Sequence, residues 1–233
     1  MSRGVLPAPL FILPAVRLSL PVMRFTTAIL FFLFLPGLAT AQRTFKAGVL
    51  AGINGSQIHG DDAWGYDKGG FVGGIFVSTD PEKRVYGEME MQYTMKGSRK
   101  LAAPDKGDFF AFEYRLNYVE VPVLLRINYK KLFFEIGPGF GVLVNDRQFD
   151  NLGYEIHRFD FRRTELSYIG GVGYAINEHW LVNFRSTNSL LPVYKTTAIY
   201  YPNWWGQLFN RGMYNNVIGL TAQYRFQKAK PKE

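Results

Sequence analysis

The sequence predicts an all-β chain, a closed eight-stranded antiparallel up-and-down barrel behind a cleavable leader. Three observations predict it. Apolar and polar residues alternate along eight segments, tight turns alternate with long polar loops, and an export-type leader precedes the first segment.

The period is clearest over Val85–Met95. Val85, Gly87, Met89, Met91, Tyr93 and Met95 share one face; Tyr86, Glu88, Glu90, Gln92 and Thr94 share the other. A helix would scatter those glutamates around its circumference, whereas a strand turns successive side chains to opposite faces. The same rule gives strands around Val119–Ile127, Leu132–Val144, Glu165–Ile176, Trp180–Arg185 and Ile218–Phe226, with weaker ones at Phe45–Ile53 and Gly69–Thr79. Tight turns fall at Thr79–Lys83, Tyr129–Lys131 and Asn177–Glu178, and long loops at 54–68, 97–111, 146–162 and 188–212. Short turns at one end and long loops at the other are the pattern of a transmembrane barrel of the outer-membrane type. An even strand number puts both termini at the short-turn end, which is the periplasmic side.

The leader runs from Arg24 through the apolar stretch Phe25–Leu35 to Ala39-Thr40-Ala41, so cleavage is expected after Ala41. The stretch is shorter than the ~20 apolar residues of a spanning helix. Met23 stands where an initiator would, and residues 1–22 carry Pro7, Pro9, Pro14 and Pro21. The expected organisation is therefore an extraneous extension 1–22, a signal peptide 23–41, a barrel 42–226 and a basic periplasmic tail 227–233. The competing reading is one long n-region or anchor.

Composition agrees with strands. Aromatic residues make up 16% of the 233-residue chain, with 24 glycines. Mean hydropathy is only −0.08, because every second residue of such a strand is polar. With no cysteine, disulfides, thiolate metal sites and thiol catalysis are excluded. The net charge is +8, and losing Arg3, Arg17 and Arg24 with the leader leaves +5. Part of that excess is the tail Lys228, Lys230 and Lys232, a solvated run. No basic face interleaved with aromatics is present, so no nucleic-acid partner is expected.

The polar face of the strands carries Lys46, Glu88, Glu90, Glu120, Arg126, Glu135, Glu165, Arg185 and Arg225, five acids against four bases. An eight-stranded barrel is just wide enough for side chains to fill. Opposite charges can neutralise one another there, and an unpaired one would be costly. The expectation is a packed, charged lumen with the apolar face toward lipid. The alternative is a soluble, lipocalin-like barrel with its apolar face inside. Tyr93, Tyr114, Tyr118, Tyr129, Tyr168, Tyr174, Trp180, Tyr214 and Tyr224 fall where interface girdles would lie. Lys96, Arg99, Lys100, Arg162, Arg163 and Arg211 fall at the loop rim, where they can pair with lipid phosphates. Tyr200, Tyr201, Trp204 and Trp205 in the last long loop suit either a protein partner or packing of the loop on itself, and the periplasmic turns are the other place where a protein partner can dock.

No catalytic, cofactor or metal site is expected. His59 and His157 lie in long loops and His179 at a tight turn, none beside a strand serine. His59-Gly60-Asp61-Asp62 reads as a solvated loop before a cation site. Glu88 and Glu90 share a face as paired carboxylates do, but every strand brings lumen charges, so structural pairing is the stronger reading.

Several stretches are similar to a known family: Phe45-Lys46-Ala47-Gly48-Val49, Gly69-Gly70-Phe71-Val72-Gly73-Gly74, Glu88–Gly97, Leu116–Leu125 with its Tyr118-x-Glu120-x-Pro122 element, Glu135-Ile136-Gly137-Pro138-Gly139, and Gly219–Phe226. Over nearly all of 43–226 the chain resembles the Bacteroidetes outer-membrane β-barrel family that includes PorT-like proteins. It departs from a strict C-terminal aromatic signal, since Gln227–Glu233 follow Phe226. The resemblance implies an eight-stranded barrel, mostly without assigned activity, with a few members serving type IX secretion or gliding. The function expected is that of a monomeric, non-enzymatic outer-membrane barrel. Alternatives are a secretion accessory, a lipid-modifying barrel enzyme and the soluble binder.

Overall fold

The computed structural model describes residues 45–61, 63, 65–194 and 212–226, all within the unit Arg43–Glu233. The leader and the basic tail lie outside the described residues.

The strands are β1 (Phe45–His59), β2 (Lys68–Thr79), β3 (Val85–Lys100), β4 (Phe112–Tyr129), β5 (Leu132–Phe149), β6 (Glu155–Ile156), β7 (Thr164–Ala175), β8 (Trp180–Ser189) and β9 (Tyr214–Arg225). All pairings are antiparallel. The order runs β4-β3-β2-β1-β9-β8-β7-β5, and β4 also pairs with β5. Eight long strands therefore form a ring without a free edge, which removes the unpaired backbone groups that lipid would not satisfy. The two-residue β6 extends the top of β5.

Alternation decides what faces where. Ile53, Ile75, Met89, Met91, Val123, Ile136, Phe140, Tyr168, Phe184 and Leu220 are each about half exposed on the outer surface. Glu88, Glu90, Glu120, Arg126, Glu135, Glu165 and Arg185 are buried inside. This sidedness rules out the soluble, inside-apolar reading. An outer face of this apolar character is stable only against hydrocarbon. No described helix is long and apolar enough to cross a membrane; this chain crosses with strands.

Two expectations are corrected. Residues 54–59, 97–100 and 146–149 of the expected loops, and 112–118 before the expected fourth strand, are strand, so β1, β3, β4 and β5 reach 15, 16, 18 and 18 residues. A crossing needs about 9–11. The outward residues of the upper part, Arg99, Arg115, Asn145 and Arg147, break the apolar period and so read as loop. Their backbone nevertheless stays paired, because above the hydrocarbon a strand's outer face meets water. Second, Tyr114 and Tyr118 are not girdle residues: both are fully buried in the interior. A register shift opposite Asn117/Tyr118 turns both Val144 and Asn145 outward, just where the wall leaves the apolar band.

The short-turn end is tied tightly. Asn128 Nδ2 donates to the carbonyls of Pro81 and Lys83 at 3.0 and 2.8 Å, binding the β2–β3 turn to the end of β4. Asn177 Oδ1 accepts from the amides of His179 and Trp180 at 2.9 and 2.8 Å. Lys130, in the β4–β5 turn, has φ of 57°.

Ile136→Arg places a charge in the middle of the outward apolar run of β5. It should destabilise the folded barrel by about 2–4 kcal/mol, read from urea titrations in liposomes. Arg147→Ala, above the band, should cost under 1 kcal/mol in order of magnitude.

Candidate functional site

The interior is filled in layers. Nearest the turn end, Tyr86, Phe133 and Leu181 form an apolar floor. Gly173 leaves the room that the Phe133 ring occupies. Arg126 lies over that ring, its guanidinium carbon 4.6 Å from the centroid.

Above the floor is the first ion cluster. Arg126 donates to Glu88 at 2.8 Å and to Glu135 at 2.7 and 3.0 Å. Arg185 grips Glu90 through both terminal nitrogens at 2.7 and 2.9 Å, and reaches Glu135 through Nε at 2.8 Å. Gln223 Nε2 donates to Glu88 and Glu90 at 3.2 and 3.1 Å, while its oxygen accepts from Arg126 at 2.9 Å. Asn183 donates to Glu135 at 3.3 Å and accepts from Thr221. Bidentate guanidinium–carboxylate pairs of this kind are the strong ones.

A second cluster centres on Lys96. Its Nζ lies 2.5 Å from Glu120 and 3.2 Å from Glu165. Ser189 Oγ and Asn215 Nδ2 donate to Glu165 at 2.6 and 3.0 Å, and Gln92 Nε2 donates to Glu120 at 3.2 Å. Between the clusters lies a gap of only about 20 Å3, bordered by Asn54, Gln92, Lys96 and Arg185. A third, apolar layer closes the loop end: Ile58, Tyr114, Leu116, Tyr118, Phe161, Val193 and Met213 pack together.

The membership differs from the sequence expectation in three residues. Lys96 belongs to the lumen and not to the rim: it is 1% exposed. Lys46 sits at the turn end, paired with Glu82 at 2.7 Å. That bond holds the Glu82 carboxyl below its ordinary range. Arg225 faces inward at the same end and pairs with none of the lumen acids. Within the two clusters five carboxylates thus meet three cations, Lys96, Arg126 and Arg185; Lys68 is also buried, at the loop end of β2, its Nζ 3.6 Å from Glu113. Amide and hydroxyl donors supply the remaining contacts.

The rim residues do not converge. Arg99 and Arg163 are exposed and Arg162 is half-buried. Lys100 is occupied by Asp108 at 2.9 Å, which lowers the Asp108 pKa. Arg211 and the aromatics 200, 201, 204 and 205 lie outside the described residues. Sequence reading missed Arg115 and Arg147, which face each other directly across β4 and β5 on the outer wall. Arg115 is held by Glu113 at 2.9 Å, while Arg147 stands 4.0 Å from Glu155. For Arg115 the available signal is its parity with Val119, Val121 and Val123 just below; for Arg147 the extra outward residue at Val144/Asn145 breaks that parity, so no local signal marks it.

The loop end also holds an open recess of about 390 Å3, bordered by Asp61, Lys100, Phe110, Tyr114, Arg158 and Phe159. The histidines are dispersed. His157 pairs with Asp160 at 2.8 Å in an exposed loop, His59 ends β1, and His179 stacks on Tyr224 at the opposite end. No group of three or more His, Cys, Asp or Glu among the described residues is placed to hold a metal.

Arg126→Met should destabilise the barrel by about 3–5 kcal/mol, because it leaves buried Glu88 without a cation and Glu135 with Arg185 alone. Lys46→Met, at the partly solvated pair, should cost no more than about 1 kcal/mol. Denaturant midpoints in micelles measure both.

A family match agrees with this architecture. Residues 39–195 match the model of the outer membrane protein beta-barrel domain. The attachment invasion locus protein Ail of Yersinia pestis, solved with the heparin analogue sucrose octasulfate, is 14% identical. That match covers 78% of this chain and 99% of Ail, at a TM-score of 0.44. Neisserial surface protein A is 12% identical, with 80% and 100% covered and a TM-score of 0.47. Comparison with curated proteins finds no match. By its match over most of its length, the chain belongs to the outer membrane protein beta-barrel domain family.

Proposed function

We propose that this outer-membrane barrel is a non-conducting, non-enzymatic protein that acts through its ends, with both termini in the periplasm and the long loops outside. The observation that carries this is the filled lumen. Two ion clusters lie between apolar layers, and the gap between the clusters is of water size. Such an interior has no path for a solute. The dispersed histidines favour the non-enzymatic reading, since nucleophile, base and carboxylate would have to converge. The secretion role implied by the PorT resemblance gains no support from the family match or the solved neighbours.

The outer wall supplies the lipid contact. Arg99, Arg115 and Arg147 face outward above Met95, Val119 and Val144, where the apolar band ends. Lipid phosphates of the outer leaflet lie at that height. Arg115 and Arg147 oppose each other across β4 and β5, each with a carboxylate nearby, Glu113 at 2.9 Å and Glu155 at 4.0 Å, and their guanidinium groups keep further N–H donors for a phosphate. The protein is read as a monomer whose partners are this lipid and a protein at the loops.

In planar bilayers the refolded chain should give no discrete conductance steps; steady open channels would refute the plugged lumen. Replacing Arg115 and Arg147 with Gln should lower the heat-unfolding midpoint in vesicles rich in anionic phospholipid. About 1 kcal/mol per arginine is expected there, and no change in zwitterionic vesicles. Equal shifts in both would remove the lipid-phosphate role.

A further inference from the structure

The turn end of the barrel holds a recess that neither the ion clusters nor the outer wall uses. It is open to solvent and measures about 400 Å3, with Tyr86, Phe133 and Leu181 as its floor and Lys130, Lys131 and Arg225 on its walls. That volume is in the range of small-molecule sites. Its frame is fixed by the Asn128 and Asn177 turn contacts, and so is Arg225 itself. The Arg225 amide donates to the His179 carbonyl at 2.8 Å, and its own carbonyl meets His179 Nδ1 at 3.1 Å.

Arg225 is only 8% exposed, yet its Nε has no hydrogen-bond partner. Buried donors are normally satisfied, and leaving a charged one unmade is costly. The acids at this mouth are Glu82 and Glu178, and Glu82 is bonded to Lys46. Three cations, Arg225, Lys130 and Lys131, thus stand against Glu178 above an aromatic floor, and the Arg225 Nε has no acceptor.

We infer that this recess binds a small carboxylate carried on an apolar or aromatic stem. The carboxylate accepts from Arg225, Lys130 and Lys131 stand at the rim as further donors, and the stem covers Tyr86 and Phe133. Inorganic phosphate shares the oxyanion chemistry but has nothing to lay on the floor. This site lies at the opposite end from the lipid-facing arginines and stands independently of their role.

The test uses the full chain refolded in micelles, with amide-resolved NMR titrations. N-acetylphenylalanine should give saturable shifts at Arg225, Lys131 and Phe133. Its uncharged amide and inorganic phosphate should each bind at least tenfold more weakly, by the order of one charged contact. Arg225→Gln should weaken binding at least tenfold, and Lys131→Gln, in the exposed turn, severalfold. Arg163→Gln, at the other end, should change nothing. Heat-modifiable gel migration verifies that each variant folds, and Lys131→Gln carries the test if Arg225→Gln does not fold. Absence of saturable shifts, or equal binding of the amide, overturns the site. Equal binding of phosphate overturns the role of the floor. Binding that emerges only in a chain ending at Phe226 assigns the recess to the protein's own tail and likewise overturns it.

Discussion

Guanidinium and carboxylate groups share the centre of a barrel too narrow to admit bulk water, and the rest of the structure follows from that pairing. Taking a charge out of water costs several kcal/mol or more, repaid only by close, well-aligned partners. Here the partners come from separate strands. Glu90 of β3 meets Arg185 of β8, Arg126 of β4 meets Glu135 of β5, and Gln223 of β9 touches Arg126, Glu88 and Glu90. The network thus bridges across the lumen, between residues as much as 135 positions apart in sequence. It also fixes register. Slipping one strand by one residue would turn its lumen charges into hydrocarbon and its apolar residues into the network. Sidedness and pairing are therefore one constraint, met by the same alternation.

The apolar layers at the two ends strengthen this arrangement. Tyr86, Phe133 and Leu181 below, and Ile58, Tyr114, Leu116, Tyr118 and their neighbours above, exclude water from the ion clusters. Excluding water lowers the local dielectric, so each correct pair gains and each missing pair is penalised more heavily. Lys96 shows the effect: its ammonium lies 5.1 Å from the Tyr118 ring centre, against two carboxylates and under the aromatic layer. The excess of carboxylates over cations is accommodated by Gln92, Ser189, Asn215 and Gln223, each donating to an acid.

The barrel was legible because its signal is parity, which needs no long-range information. Glu88 and Glu90 on one face of Val85–Met95 were enough to place that strand and its buried side. What parity could not supply is height along the barrel axis. Lys96 shares the face of Glu88, but its position near the end of the apolar run made it look like rim, and only the length of β3 brings it inside. Lys46 and Arg225 share the lumen face but lie so near the turn end that solvent or turn residues reach them. Tyr114, Leu116 and Tyr118 break the polar-inside pattern, because a plug layer needs apolar residues on the polar face. Arg115 and Arg147 fell in a stretch that hydropathy marks as loop. Their meeting depends on the pairing of β4 with β5, which no local pattern reveals.

A solid interior has a consequence for how the ends relate. Among the described residues, packed rings and ion pairs stand between the loop recess near Tyr114 and the turn recess near Phe133. Coupling between distant sites requires an element with two arrangements. Bidentate pairs that bridge several strands oppose any second arrangement, because moving one strand would leave carboxylates unpaired on others. The two ends are therefore free to differ in chemistry: arginines and aromatics where β3, β4 and β5 stand above the membrane, lysines and a waiting guanidinium at the tight turns. The same ion network that fills the lumen separates the two faces.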